Sequence, residues 1–294
     1  MSGQKITFLG LGAMGYPMAG HLAKAGYDVT VFNRTFRTAE KWKSEYKGRI
    51  AKTVEEAVKD ADVALACVGN DNDVREIFDK ILASAKSGAI LIDHTTTSAI
   101  IARELYQQAK DKGMSFLDAP VSGGQAGAEN AVLTIMVGGD QETFDKVSSL
   151  LDVYAKACTR IGGTGQGQVL KMINQISFIG TLQGLSEALI FAKAEGIDGK
   201  TIVDVLQHGA AGSWQMINRS ETMMANDFDF GFAIDWIRKD LAICFEEAEK
   251  LGVELPLAKQ IDERYKALQE RGYSRADTSV LIKQFDEETR DEQL

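Results

Sequence analysis

In the first half of the chain, short apolar runs alternate with segments whose apolar residues recur every three to four positions. Residues 6–9 form one run and 29–32 another, and between them Met18, Leu22, Ala23 and Ala25 have helical spacing. The stretch 5–35, "KITFLGLGAMGYPMAGHLAKAGYDVTVFNRT", therefore predicts strand, turn, helix, strand. The same alternation continues: 63–68 then a helix over 73–85; 89–92 then 98–112; 115–117; and 132–137 then 141–151. It predicts a mainly parallel sheet with helices on both faces, since each parallel strand must be reached by a crossover. From "IGGTGQGQ" (161–168) onward the pattern changes to long helical segments, at 168–195, 199–208, 236–251, 257–271 and 279–285, with almost no β-branched runs. The predicted fold is α/β: an N-terminal Rossmann-type doubly wound sheet over 1–163, then an all-helical domain over 164–294. The closing "DEETRDEQL" (286–294) is polar and charged and is expected to be a solvated tail.

Composition narrows the function classes. The 294 residues are 45% hydrophobic and 26% charged, the balance of a globular protein. A formal net charge of -9 argues against sequence-independent nucleic-acid binding, because neutralising phosphates requires an excess of Lys and Arg. Cys67, Cys158 and Cys244 are odd in number and widely spaced, so neither a disulfide framework nor a zinc site is expected. His21, His94 and His208 show no metal-ligand spacing. No basic and cleavable hydrophobic leader precedes the first strand, so the expected location is the cytoplasm. The most apolar helix segment, 173–194, is interrupted by Asn174, Gln175, Gln183, Glu187 and Lys193, which a membrane span would not tolerate cheaply.

The chemistry begins at "GLGAMG". Gly10, Gly12 and Gly15, with Leu11, Ala13 and Met14 between them, follow a strand and open a helix. In that context G-x-G-x-x-G predicts dinucleotide binding: a tight turn, a backbone that a pyrophosphate can approach, and close packing of helix on strand. An NAD site commonly places Asp or Glu about 20 residues on, to hold the adenosine ribose. Here Asn33, Arg34 and Thr35 stand there instead, and the guanidinium suits a 2′-phosphate, so NADP is the expected cofactor, with NAD possible.

With these motifs the chain resembles the β-hydroxyacid dehydrogenases, the group including 3-hydroxyisobutyrate dehydrogenase, tartronate semialdehyde reductase and the glyoxylate/succinic semialdehyde reductases. The resemblance spans nearly the whole chain through "GLGAMGYPMAGHL" (10–22), "DHTTTS" (93–98), "DAPVSGGQAGAENAVLTIMVGGD" (118–140), "GTGQGQVLKMINQ" (163–175) and "RKDL" (238–241), in that order. It implies that the first domain binds the nicotinamide dinucleotide. The helical domain would close the substrate cleft and mediate assembly into a homodimer or homotetramer.

Lys171, Asn174 and Gln175 have helical spacing that places all three on one face, setting a titratable amine beside two neutral amides. The resemblance implies that Lys171 is the general acid/base, and burial would shift such an amine toward the range useful for proton transfer. Asn174 matches the family's amide position in the tartronate semialdehyde reductase-like members; other relatives carry it one residue later, where Gln175 stands here. Ser122, with the backbone amides of Gly123 and Gly124, can form a donor pocket for an anion, which in the resembling enzymes holds the substrate carboxylate. Lys239 matches a family lysine near the nicotinamide. Val68, Gly69 and Asn70, and then Thr95 and Thr96, follow strands at the expected ligand edge and are predicted to border the cofactor. "GAAGSWQMINRS" (209–220) reads as a glycine-bounded loop, with Trp214 and Met216 placed to line the substrate end or pack in the core. Phe228, Phe230, Phe232 and Trp236 read as core first.

The expected activity is an NADP-preferring interconversion of a small carboxylate-bearing β-hydroxy acid and its semialdehyde by hydride transfer. Alternatives are an NAD-linked 3-hydroxyisobutyrate dehydrogenase, an imine reductase on the same fold, and, from a different class, a catalytically silent nucleotide-binding scaffold. A lysine at 171 favours chemistry over the last two.

Overall fold

The computed structural model describes residues 3–286, so all but the first residue of the expected tail lies outside the described residues. The chain divides into two compact units, Met1–Lys171 and Met172–Leu294. The first opens with β1 (Lys5–Leu9), α1 (Gly15–Lys24) and β2 (Asp28–Phe32), the predicted βαβ unit. There follow α2 (Phe36–Glu45), β3 (Arg49–Ile50), α3 (Val54–Val58), β4 (Val63–Ala66), α4 (Asp71–Ser84), β5 (Ile90–Asp93) and α5 (Ala99–Asp111). The unit continues with β6 (Ser115–Asp118), β7 (Val121–Ser122), α6 (Gly124–Glu129), β8 (Leu133–Gly138), α7 (Gln141–Leu151), β9 (Ala155–Gly162) and the start of α8 (Gln166–Ala194). The strand order is β3-β2-β1-β4-β5-β6-β8, parallel as far as β6. Beyond it β8 runs antiparallel to β6 and β7, and β9 lies parallel to β8.

Period-two alternation assigns the strand side chains to two cores. Ile90 and Ile92 face a layer with Met18 and Leu22 of α1, Trp42 of α2 and Val147 of α7, whereas Leu91 faces one with Val58, Phe78 and Leu105 of α3, α4 and α5. The sheet is thus covered on both faces, as the doubly wound expectation requires. Each fully buried aliphatic or Phe side chain contributes roughly 1.5–3 kcal/mol.

Several elements lie outside the sequence pattern. In α2 only Ala39 and Trp42 are buried, so its polar sequence carries little periodic signal. None of the eight residues of β9 is buried, and backbone pairing to β8 rather than an apolar face makes them a strand.

The second unit is helical: the rest of α8, α9 (Gly199–Leu206), α10 (Trp214–Ala225), α11 (Ile234–Leu251) and α12 (Pro256–Leu268), then a 3-10 helix at Thr278–Phe285. Ile179, Leu182, Leu189, Ile237, Leu241, Ile261 and Tyr265 form its core. The reading of 209–220 as a loop is corrected here: Trp214 begins α10. Ser213 caps it by accepting from the Met216 N–H, and Met216, Ser220 and Met223 are buried at helical spacing.

Candidate active site

Strand β1 delivers the chain to Gly10, whose φ of +92° sends it into a tight turn. A methyl group on Gly10 would lie 2.2 Å from the Cys67 carbonyl oxygen, and one on Gly15 would lie 2.0 Å from the Gly10 carbonyl oxygen and 3.0 Å from the Phe8 ring. These two glycines are required by the protein itself. Gly12 differs: a methyl group there would meet no protein atom within 4 Å, and Gly12 and Ala13 are exposed, with Leu11 buried and Met14 half-buried behind them. A groove of 970 Å³ opens at this place, bordered by Leu11, Gly12 and Ala13 of the turn, Thr35, Arg37, Thr38 and Lys41 around α2, and Gln125 and Glu129 of α6.

Asn33 ties the turn to the end of β2. Its Oδ1 accepts from the Leu11 N–H at 2.9 Å, and its Nδ2 donates to the Thr35 carbonyl at 3.1 Å. Arg34 is 89% exposed along its side chain, with its guanidinium 3.7 Å from Asp73 at the start of α4, an ion pair that solvent weakens. Arg37, Thr38 and Lys41 are groove-lining residues that the sequence reading missed. Their signal was available: Lys41 is one helical turn beyond Arg37, just after the Asn-Arg-Thr.

The turns after β4 and β5 meet at the same edge of the sheet. The Val68 N–H donates to the Thr95 hydroxyl at 3.0 Å, and the Thr95 N–H donates to Asp93 Oδ1 at 2.9 Å. Asn70 Oδ1 accepts from the Asn72 and Asp73 N–H groups and caps α4. The side chains of Thr95 and Asn70 thus hold the turns in place; Gly69 and Thr96 are half-buried beside them. Burial pushes the Asp93 carboxyl up to about 7, with the charges of Asp118 and Asp71 adding to the effect. His94 is pushed down to about 4 by burial and is neutral: its Nδ1–H donates to the Ala119 carbonyl at 2.6 Å, which leaves Nε2 to accept from the Tyr154 hydroxyl at 2.9 Å. It is a structural histidine.

Ser122 ends β7, and Gly123 (φ +133°) and Gly124 (φ +62°) turn the chain into α6 in conformations that favour glycine. Lys171 lies in α8 and is only 7% exposed. Further along α8, the half-buried Asn174 donates from Nδ2 to Gln175 Oε1 at 2.8 Å. Gln175, 3% exposed, donates from Nε2 to Asp240 Oδ2 at 2.6 Å, and Lys239 Nζ is 3.0 Å from Asp240 Oδ1. The four residues form one polar chain. Trp214 is 48% exposed with the Arg219 guanidinium 4.8 Å from its ring centroid, and Arg219 pairs at 3.0 Å with the buried Asp277. Met216 and Phe228 are core; Phe230 and Phe232 are half-buried, and Trp236 is 38% exposed.

A family profile described as the NAD binding domain of 6-phosphogluconate dehydrogenase matches residues 5–163, and one described as NAD-binding of NADP-dependent 3-hydroxyisobutyrate dehydrogenase matches 165–285. The chain belongs to the β-hydroxyacid dehydrogenase family. An uncharacterized oxidoreductase of Shewanella frigidimarina (strain NCIMB 400) is 49% identical over 95% of this chain and 97% of its own. The 2-hydroxy-3-oxopropionate reductase of Escherichia coli (strain K12) is 32% identical over 95% and 96%. Among solved structures, Mycobacterium tuberculosis 3-hydroxyisobutyrate dehydrogenase with L-serine superposes with a TM-score of 0.86 at 30% identity, covering 96% of this chain and 99% of that one.

As a member of this family the protein is an NAD(P)-dependent dehydrogenase acting on the hydroxyl group of a hydroxy acid. A nicotinamide dinucleotide fits the residues present. The open backbone at Gly12 is the approach a pyrophosphate needs, and the exposed Arg37 and Lys41 supply positive charge beside it. Among the described residues no helix is long and apolar enough to cross a membrane.

Proposed function

We propose that the protein is an NADP-preferring enzyme that interconverts a small β-hydroxy acid and its semialdehyde. The observation that carries the reading is Lys171, an amine only 7% exposed on the helix that also bears Asn174 and Gln175. When bound, the nicotinamide supplies or accepts the hydride. In reduction Lys171 donates its proton to the carbonyl oxygen; in oxidation it takes the proton from the hydroxyl. Ser122 and the N–H groups of Gly123 and Gly124 hold the carboxylate without adding a formal charge that would compete with Lys171. Asn174, the more exposed of the two amides, orients the substrate oxygen. Gln175, engaged with Asn174 and Asp240 at its two ends, holds Asn174 in place. Trp214 borders the substrate, Lys239 stands near the nicotinamide, and residues 68–70 with Thr95 and Thr96 border the cofactor.

Preference for NADP rests on Arg34 and Arg37. No carboxylate follows β2, and the one side-chain oxygen of Asn33 already accepts from the Leu11 N–H. An NAD-linked 3-hydroxyisobutyrate dehydrogenase is the second reading; its substrate, though not its cofactor, is favoured by the Mycobacterium tuberculosis relative, whose structure is described with L-serine, itself a three-carbon β-hydroxy acid.

The test is loss of nicotinamide absorbance on mixing the protein with NADPH, then NADH, against glyoxylate, tartronate semialdehyde, methylmalonate semialdehyde and succinic semialdehyde. Rapid NADPH oxidation with one of the semialdehydes is the expected result. Faster turnover with NADH would overturn the cofactor preference, and cofactor binding without turnover on any β-hydroxy acid or semialdehyde would favour the silent scaffold.

A further inference from the structure

Asp118 ends β6 and is fully buried, yet among the described residues its carboxylate meets only main-chain N–H donors. Oδ1 accepts from the Gly165 N–H at 2.7 Å and Oδ2 from the Gln168 N–H at 3.0 Å. The chain around it is stripped of side chains to make room. A methyl group on Gly138 would lie 2.5 Å from Asp118 Oδ1, and one on Gly167 would lie 2.8 Å from Oδ2 and 2.4 Å from the Met136 carbonyl oxygen. Helix N-termini are ordinarily capped by a residue immediately preceding them. Here the first turn of α8 is capped from 47 residues away for Gly165 and 50 for Gln168, so the cap fixes a tertiary position as well as satisfying orphan N–H groups.

Gln168 extends the arrangement. It is fully buried, its Nε2 donates to the Thr95 carbonyl at 2.7 Å, and its Oε1 accepts from the Thr97 N–H at 3.1 Å. The first turn of α8 is therefore held through its main chain by the end of β6 and through one side chain by the turn after β5. Lys171 follows Gln168 by three residues, one helical turn on. We infer that Asp118 and Gln168 are positioning residues for Lys171, a clamp that sets the height and rotation of α8 and with them the place of the amine. The inference rests on Lys171 being the proton donor. Burial raises the Asp118 pKa while the N–H groups lower it; a carboxylate held against that desolvation by main-chain donors alone is an expensive way to stabilise a helix and a specific way to locate one.

The experiment compares Asp118→Asn and Gln168→Glu with the unaltered full chain, reading kcat, KM, NADPH Kd and melting temperature. Asn keeps the size of Asp118 but turns an NH2 toward a backbone N–H; Glu at 168 sets a carboxylate oxygen against the Thr95 carbonyl. For both, kcat should fall about ten- to hundredfold while KM and the NADPH Kd stay within about threefold, the split expected when a proton donor is displaced by an ångström or less. Asp118→Glu should not restore turnover, since Gly138 and Gly167 leave no space for another methylene. Wild-type kcat in both variants with only a lower melting temperature would overturn the inference. So would a rise in NADPH Kd matching the fall in kcat. If Asp118→Asn does not fold, Gln168→Glu decides by the same readouts. Undiminished turnover in Lys171→Ala would instead bring down the role of Lys171 itself, while an inactive Lys171→Ala beside fully active clamp variants would bring down only the clamp.

Discussion

At Gly12 a methyl group would meet nothing of the protein within 4 Å, whereas at Gly167 it would strike the Met136 carbonyl oxygen and the Asp118 carboxylate. The two glycines belong to regions of opposite construction. The groove beside Gly12 is open, its rim carries the exposed cations Arg37 and Lys41 beside the exposed acids Glu40 and Glu129, and its backbone is bare where the protein has no need of bareness. At the start of α8, the backbone is bare because a buried carboxylate fills the space. A ligand-facing glycine and a packing glycine are told apart by what an added side chain would meet. The first leaves room that only something outside the chain can fill, and the second leaves room already filled.

Of the substitutions that test this division, Lys171→Ala has the strongest expected consequence. It should lower kcat by about 10²- to 10⁴-fold, the range for loss of a general acid/base, with the NADPH Kd unchanged in a fluorescence titration. A large loss of NADPH affinity would show that the α8 region also binds cofactor and would dissolve the distinction between the regions.

Next in size is Arg34→Ala, alone and with Arg37→Ala. Losing a charge-assisted contact to a 2′-phosphate should raise the KM for NADPH by about ten- to hundredfold, with little change for NADH. Equal effects on both cofactors would remove the NADP assignment.

The smallest effects come from the glycines themselves. Gly12→Ala should leave the melting temperature unaltered and weaken NADPH binding about tenfold, while Gly167→Ala should cost about 1–3 kcal/mol of stability in urea unfolding. A destabilised Gly12→Ala would mean that the open space is needed by the fold after all.

Much of this was legible from the chain alone. The βαβ unit, the glycine turn, the carboxylate-free end of β2 and the placement of Lys171 on a long helix are local patterns, and each has its place in the structure. The segment 36–62 was not read as α2, β3 and α3, because α2 buries only Ala39 and Trp42 and β3 is two residues long. The glycines at 209 and 212 interrupt the helical period just ahead of α10 and mask the capping Ser213 and the buried spacing of Met216, Ser220 and Met223. Arg37 and Lys41 were missed although one helical turn links them. The spacing ties them to one helix face, but exposed charges are common, and it is the groove beside Gly12 that sets these two apart from the rest.

The period of each strong element, the order of βαβ units followed by helices, and the motifs that mark a dinucleotide turn and a lysine-amide face are written into neighbouring residues. These depend on residues within one or two helical turns of each other, and local sterics and burial periodicity are enough to encode them. The remaining features come from the packing of distant segments in the tertiary structure. Only it pairs β8 antiparallel to β6 and β9 parallel to β8, engages Gln175 with Asp240 across 65 residues, and seats Asp118 against the amides that open α8. A buried polar group must find a partner, but its type and spacing do not say which one; that is settled when distant segments are brought together and desolvated at once.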